Sequence, residues 1–197
     1  MANEVKARPF QFTVDTVSPV FGQLKILEKG TTTVTYSIAP VLQKVEVREV
    51  SAFYARFKPM NLGTGKEYEI EEIIQRVKSW QQKHWNNIPW SGYVIRDAEG
   101  DLVGVWDLEL TERVVLLSAK IKAELLEKIG IAAWGWTTGH LLPTLQERGH
   151  AMPSAVHVYM RQDHPFMVRQ LFDRSGWKVK RSEKFPSRFL CNYSLKS

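Results

Sequence analysis

Small residues cluster where a loop would open a helix. Residues 128–149, KIGIAAWGWTTGHLLPTLQERG, begin with closely spaced glycine, alanine and threonine. Apolar residues then recur at helical spacing, and Gly149 is a typical residue at a helix C-terminus. Small residues allow a ligand to approach the backbone, and the N–H groups at a helix start attract phosphate. We predict a glycine-containing loop that binds phosphate or pyrophosphate; the alternative is a tight loop without a ligand.

Two carboxylates share one face of a predicted strand. Between Leu102 and Leu110, alternation groups Val103, Val105, Asp107 and Glu109 on one face of the strand. Either these carboxylates face a cleft, or they form the solvent face of the strand.

The composition is that of one soluble domain. Of the 197 residues, 44% are apolar and 24% charged, which excludes disordered and collagen-like classes. No apolar run reaches the roughly 18 residues of a membrane span, and the N-terminus lacks a signal-peptide core. We therefore expect a cytoplasmic protein. The single cysteine, Cys191, excludes an internal disulfide and a multi-cysteine zinc site, and we expect no metal.

Most of the positive charge lies near the end of the chain. Residues 169–188 contain seven basic and two acidic side chains, a net +5 out of the +6 of the whole chain. Such a surface suits a phosphate-bearing ligand, an acidic protein or nucleic acid, and it could also be merely solubilising.

The remaining sequence predicts the elements that position these groups. Period-2 and period-3.6 patterns indicate short strands in residues 1–50, helices over 51–60 and 69–84, a hairpin of 93–96 with 102–110, a strand over 114–121, a strand near 155–160, a helix over 166–175 and a closing strand pair. This order predicts an α/β fold with a mixed, mostly antiparallel central sheet and helices on both faces.

This order of elements and motifs resembles the GNAT family of acetyl-coenzyme A-dependent N-acetyltransferases, particularly the branch that modifies the N-termini of ribosomal proteins. The resemblance covers roughly residues 45–195, so we expect a strand-rich N-terminal extension over 1–44 and a GNAT-like domain over 45–197. It implies acetyl-CoA as the cofactor. It also implies a primary amine as the acceptor, on a small molecule, a protein N-terminus or a lysine.

The pyrophosphate loop of the family reads Gln or Arg, two residues, Gly, any residue, then Gly or Ala. Residues 127–132, EKIGIA, keep the Gly and the Ala but place Glu127 first, where a carboxylate repels pyrophosphate. The resemblance implies that this loop contacts the pyrophosphate, and that the preceding strand lines the pantetheine arm. The residues implied are Lys128, Ile129, Gly130, Ile131 and Ala132 in the loop, and Ser118, Ala119 and Lys120 in the strand.

The resemblance also implies direct attack of the amine on the thioester, assisted by a base. Glu109 is the candidate base, with Asp107 behind it. Near the predicted helix 166–175, Pro165 replaces an Asn of the family, and Phe172 stands where many members carry a proton-donating Tyr. We expect His140 and His157 to be packing or surface residues, and His164 is a third candidate base.

Three functions follow from these features. The first is an N-acetyltransferase. The second is a GNAT-fold binding module that has lost catalysis and holds a partner through its cleft or its basic C-terminal surface. The third, ranked below the others, is nucleic-acid binding through residues 169–188, where Trp177, Phe185 and Phe189 lie among the basic residues.

Overall fold

Nine strands form one sheet in a computed structural model that describes residues 10–18, 21–28, 32–42, 44–61, 64–162 and 176–195. The elements are β1 Phe10–Ser18, β2 Phe21–Glu28, β3 Thr32–Pro40, α1 Lys44–Ala55, α2 Ile70–Trp85, β4 Gly92–Arg96, β5 Leu102–Thr111, β6 Val114–Ile121, a 3-10 turn Ala123–Leu125, α3 Leu126–Trp136, a π turn Thr137–Leu141, α4 Leu142–Glu147, β7 Ala155–Arg161, β8 Lys178–Arg181 and β9 Arg188–Ser194. The helix predicted over 166–175, with Pro165 and Phe172, lies outside the described residues.

The strand order is β1-β2-β3-β4-β5-β6-β7-β9-β8, and β6 with β7 is the parallel pair in this otherwise antiparallel sheet. That pair is short, because its ladder contains Val114↔Ala155, Val115↔Val156 and Leu116↔His157 and then stops. The predicted mixed, mostly antiparallel sheet is confirmed. Residues 117–121 of β6 continue past the end of this ladder.

Helices cover both faces of the sheet, as predicted. On one face, α1 and α2 bury Phe53, Val77 and Trp80 against Val94 and Val105 in a smaller core. The start of α2 is fixed by a capping interaction in which the Glu69 backbone N–H donates to Glu72 Oε2 at 2.8 Å. On the other face, α3, the π turn and α4 pack into a larger core.

The helical stretch after β6 runs to Glu147 through the π turn. The Thr137 hydroxyl donates to the Ala133 carbonyl at 2.8 Å and accepts the Trp106 indole N–H at 3.0 Å, which ties the turn to β5. Threonine hydroxyls that bond to the preceding turn often bend helices. Gly149 has a φ of 76° and ends the segment, as its sequence position predicts.

A β-bulge changes the expected alternation in β5. Ile95 pairs with Gly104 while Arg96 pairs with Leu102, so Val103 is an extra residue. Val103 therefore joins the larger core and Val105 the smaller one. The prediction that the two valines share a face is wrong.

The N-terminal strands belong to the same sheet, and Leu24 and Ile38 lie in the larger core together with Trp136 of α3. The fit is close at Gly22, since a Cβ there would lie 2.8 Å from the Trp136 ring. The domain boundary at residues 44 and 45 stays a prediction. None of the described helices has the length and apolarity needed to cross a membrane.

We expect Gly22→Ala to lower the free energy of unfolding by roughly 1–3 kcal/mol, because the added methyl group overpacks the contact between β2 and α3. Gln23→Ala, at an exposed neighbouring position, is the control and should change stability by no more than about 0.5 kcal/mol. Urea denaturation measures both. Wild-type stability in Gly22→Ala would contradict the packing of β2 against Trp136.

Candidate active site

A cleft of about 680 Å³ opens where β6 and β7 part, a volume typical of small-molecule sites. Residues 116–120 of β6 and 157–161 of β7 line its two walls. Asp107 and Glu109 of β5 also line it, so the structure brings the predicted carboxylates together with the predicted strand residues Ser118, Ala119 and Lys120. In the ladder between β5 and β6, Asp107 stands directly opposite Ser118.

Arg76 of α2 joins the two carboxylates. Its Nη2 lies 2.7 Å from Asp107 Oδ2 and 2.7 Å from Glu109 Oε2, and its Nε donates to Asp107 Oδ2 at 3.1 Å. Its Nη1 donates to the Tyr68 hydroxyl at 3.2 Å. Helix α2 and strand β5 are therefore tied together by charge inside the cleft wall.

Asp107 is buried, with 1% of its side chain exposed, while Glu109 is 37% exposed. The interpretation of this face as solvent-facing is therefore wrong for Asp107. Burial raises the pKa of Asp107, and the charge and hydrogen bonds of Arg76 oppose this without cancelling it. Its second oxygen, Oδ1, is buried and has no hydrogen-bond partner among the described residues.

Tyr54 of α1 covers the carboxylate cluster. Its hydroxyl lies 3.5 Å from Asp107 Oδ2, at the outer limit of a hydrogen bond. Burial raises the pKa of Tyr54 far above its ordinary value, with the charge of Asp107 acting in the same direction. The Tyr54 hydroxyl therefore stays protonated at physiological pH.

Lys120 places its amine on the same side of the sheet. Nζ donates to Ser118 Oγ at 2.8 Å and lies 5.7 Å from the centroid of the Tyr54 ring. Burial lowers the pKa of Lys120 to about 8, although Asp107 acts in the opposite direction. The sequence predicted Lys120 at the cofactor arm but not this environment.

The histidines differ in position. His157 lines the cleft, and burial lowers its pKa, opposed by a hydrogen bond with Asn192. His140 lies in the π turn, away from the residues that line the cleft. His164 is outside the described residues.

Among the described residues, no cluster of three or more potential metal-ligating side chains occurs.

The predicted pyrophosphate loop is not a loop. Lys128, Ile129, Gly130, Ile131 and Ala132 all lie within α3, because the 3-10 turn starts the helix directly after β6. Ile129 and Ala132 face the larger core with no exposed surface, at the helical spacing that also buries Ala133 and Trp136.

The N-terminal end of α3 nonetheless lies at the cleft, where Leu126 is a lining residue. The 3-10 turn runs directly into α3, and the Leu126 N–H already donates to the Ala123 carbonyl within that turn. Of the predicted contacts in this segment, Lys128 lies in the first turn of α3. A Cβ on Gly130 would meet no atom within 4 Å, so the packing of the protein does not require that glycine.

The described part of the cleft wall carries surplus positive charge. Two acidic residues face six basic ones, which are Lys58, Arg76, Lys120, Arg161, Lys184 and Arg188. Lys184 and Arg188 come from the basic segment 169–188. Trp177, proposed above as a base-stacking residue, is buried in the larger core and cannot stack on a nucleic acid there.

Sequence reasoning missed Arg76 and Tyr54. Neither residue is among the candidate site residues of the sequence, although the position of Arg76 in its helix carries a signal. Arg76 lies three residues after Ile73 and four before Trp80, on the stripe that also contains Val77. A charged residue on a buried stripe requires a buried partner, and that signal was available in the sequence.

We expect Arg76→Gln to lower the free energy of unfolding by about 3–5 kcal/mol at pH 7, because Asp107 would stay buried without its cation. Burial would then raise the pKa of Asp107 further in the folded variant, which takes up a proton as the pH falls. The loss should therefore be smaller at pH 5 than at pH 7. Urea denaturation at both pH values measures it.

Arg96→Gln is the control, since Arg96 pairs at 2.6 Å with Glu49, which is 47% exposed. Arg96→Gln should lower the free energy of unfolding by about 1 kcal/mol or less. Equal effects of the two substitutions, or an Arg76→Gln loss that does not shrink at pH 5, would contradict the buried pair.

Comparison with known proteins identifies other proteins that share this fold. No protein-family model matches the chain, and no curated protein shows significant sequence similarity to it. A spermidine N-acetyltransferase SpeG variant from Vibrio cholerae superimposes with a TM-score of 0.54 and 12% identity over 80% of this chain and 91% of that protein. Ard1 from Thermoplasma volcanium gives a TM-score of 0.52 and 12% identity over 82% and 99%. The chain has the fold of the GNAT acetyltransferases.

Proposed function

We propose that this protein is an N-acetyltransferase that moves an acetyl group from acetyl-CoA to a primary amine. The observation that carries the proposal is the buried Asp107 carboxylate, which stands opposite Ser118 in the wall of the cleft between β6 and β7. A carboxylate beside the open part of a strand puts a proton acceptor next to backbone groups that can hold a ligand.

The cleft suits the chemical character of coenzyme A. Past Leu116 the ladder with β7 has ended, so the backbone of Ser118, Ala119 and Lys120 can pair on that side with the amides of a pantetheine arm. The surplus of basic side chains and the start of α3 suit the phosphates, and Glu127 opposes them. When bound, the coenzyme supplies an acyl thioester that an amine can attack.

Asp107 is the better candidate for the base. An acceptor amine arrives protonated and must lose a proton before it attacks, and Asp107 Oδ1 has no competing hydrogen bond among the described residues. The raised pKa of Asp107 brings it toward the range in which a base works efficiently. Arg76 fixes the carboxylate through Oδ2, and Glu109 helps to hold Arg76 in place. This reverses the order of the two carboxylates given by the sequence.

The positive charge of the cleft limits which amines can act as the acceptor. Spermidine, the substrate named for the Vibrio cholerae protein, is a polycation, and the surplus of basic over acidic side chains in the described wall would repel it. We propose an acceptor with a single amine and a neutral or acidic remainder, such as a peptide N-terminus with acidic neighbours.

A second candidate function is a binding module without catalysis. Glu127 favours it, because a carboxylate in the first turn of α3 disfavours an anionic cofactor at that helix end. Direct measurement of cofactor binding separates the two functions.

We expect acetyl-CoA to bind with micromolar affinity, about −8 kcal/mol, in isothermal titration, with coenzyme A and desulfo-coenzyme A in parallel. Glu127→Gln should tighten binding several-fold because it removes a negative charge beside the phosphates. Glu147→Gln, on an exposed site at the end of α4, is the control and should leave the affinity unchanged. Absence of binding by wild type and Glu127→Gln would exclude the acetyltransferase and leave the binding module.

We expect Asp107→Asn to lower kcat/KM by about 10²–10⁴-fold, since the amide cannot accept the proton. Glu109→Gln should lower kcat/KM by a smaller factor. Glu99→Gln, on an exposed turn, is the control and should leave kcat/KM unchanged. The rate of the wild type should rise with pH as Asp107 loses its proton, at a pH above that of an ordinary aspartate, and Asp107→Asn should lose this dependence. An unchanged pH profile in Asp107→Asn, confirmed as folded by circular dichroism, would rule Asp107 out as the base.

A further inference from the structure

Within the described part of the chain, Lys120 holds its amine inside the cleft without a carboxylate partner. Its contacts are the Ser118 hydroxyl at 2.8 Å and the face of the Tyr54 ring at 5.7 Å. Among the described residues, no carboxylate oxygen lies within ion-pair distance of Nζ. A partly buried ammonium without an anion loses part of its hydration and gains little in return, which lowers the pKa of the Lys120 amine.

The groups that face Lys120 from the surrounding elements shift its pKa in opposite directions. From α2 and β9, Arg76 and Arg188 disfavour the ammonium, and Asp107 of β5 favours it. Asp107 is already engaged with Arg76 at 2.7 Å. From α1, Tyr54 contributes a protonated phenol. At mildly alkaline pH a large fraction of Lys120 is therefore a neutral amine, which is a nucleophile.

We propose that Lys120 is itself an acyl acceptor, so that a thioester bound in the cleft acylates the Nζ of Lys120 and leaves a stable amide on the chain. The proposal rests on the proposed function, because that function supplies the acyl thioester. It adds a covalent modification site within the same cleft.

The reaction balances without any further reactant. Nζ of the neutral amine attacks the carbonyl carbon of the thioester, a C–N bond forms, and the C–S bond breaks. The sulfur leaves with the bonding electron pair. One proton leaves the nitrogen and ends on the sulfur or in water, and the Ser118 hydroxyl lies close enough to relay it.

Burial distinguishes Lys120 from the other lysines of the cleft. Lys58 and Lys184 also line the described wall, but both residues are exposed. Their amines keep the hydration that burial removes from Lys120. The proposal therefore predicts acylation at one lysine and not a general labelling of the chain.

The test uses the full chain incubated with acetyl-CoA in the absence of any acceptor, followed by proteolysis and mass spectrometry. We expect one acetyl group on Lys120, forming about tenfold faster per pH unit while the pH is below the pKa of the amine. The amide should resist hydroxylamine. Lys120→Arg should remove the modification, and Lys78→Arg, at an exposed site on α2, is the control that keeps it.

Acetylation spread over exposed lysines, or a hydroxylamine-labile ester on Ser118, would overturn the proposal. Titration with desulfo-coenzyme A, run in parallel, separates it from the proposed function. Binding of the coenzyme with no acetyl group on Lys120 refutes self-acylation alone, whereas no binding refutes both.

Labelling with acetic anhydride over a pH series gives a readout independent of the coenzyme. Lys120 should react at lower pH than Lys78, and identical profiles would contradict a neutral Lys120.

Discussion

Asp107 occupies a position where a carboxylate is costly to bury, and the surrounding structure is arranged to compensate for that cost. Arg76 reaches it from α2, Tyr54 covers it from α1, and both helices are held on the sheet by an apolar core of their own. A buried ion pair adds little net stability compared with apolar residues of similar size, yet losing one partner is severe. Such a cluster is therefore better explained by chemistry than by stability, and this supports the catalytic role that we propose for the cleft.

The second feature on which the cleft depends is the short parallel pairing of β6 with β7, here called the seam. Three residue pairs join β6 to β7, and a cleft opens where the two strands then part. Because one wall of the cleft is the unpaired side of a strand, a ligand can bond to the backbone, and side chains on the α1 and α2 face remain available for proton transfer. The basic side chains, the Lys120 amine and the Asp107 carboxylate that line the cleft all come from residues on or beside these strands.

The sequence predicted the mixed sheet and the two carboxylates of β5, because alternation and helical periodicity record burial directly. It was wrong over residues 44–50, which alternate like a strand but belong to helix α1. It misplaced the phosphate loop because EKIGIA matches a family motif. The apolar period of Ile129, Ala132 and Trp136 already indicated a helix buried on one side. The sequence placed Val103 on the wrong face of β5, because the pattern of alternating valines does not indicate a β-bulge. The environment of Lys120 depends on Tyr54, Arg76 and Arg188, which lie far away in sequence and meet only in the folded chain.

The narrow seam between β6 and β7 also bears on how the molecule unfolds. Two antiparallel blocks of strands joined by three ladder pairs would separate easily if backbone hydrogen bonds alone connected them. The larger core prevents this, because Val156, Met160 and Cys191 of the second block share it with Leu24 and Trp106 of the first. The cooperativity of the fold thus depends on side chains beneath α3, and the sheet can be weak between β6 and β7 without becoming two independently unfolding parts.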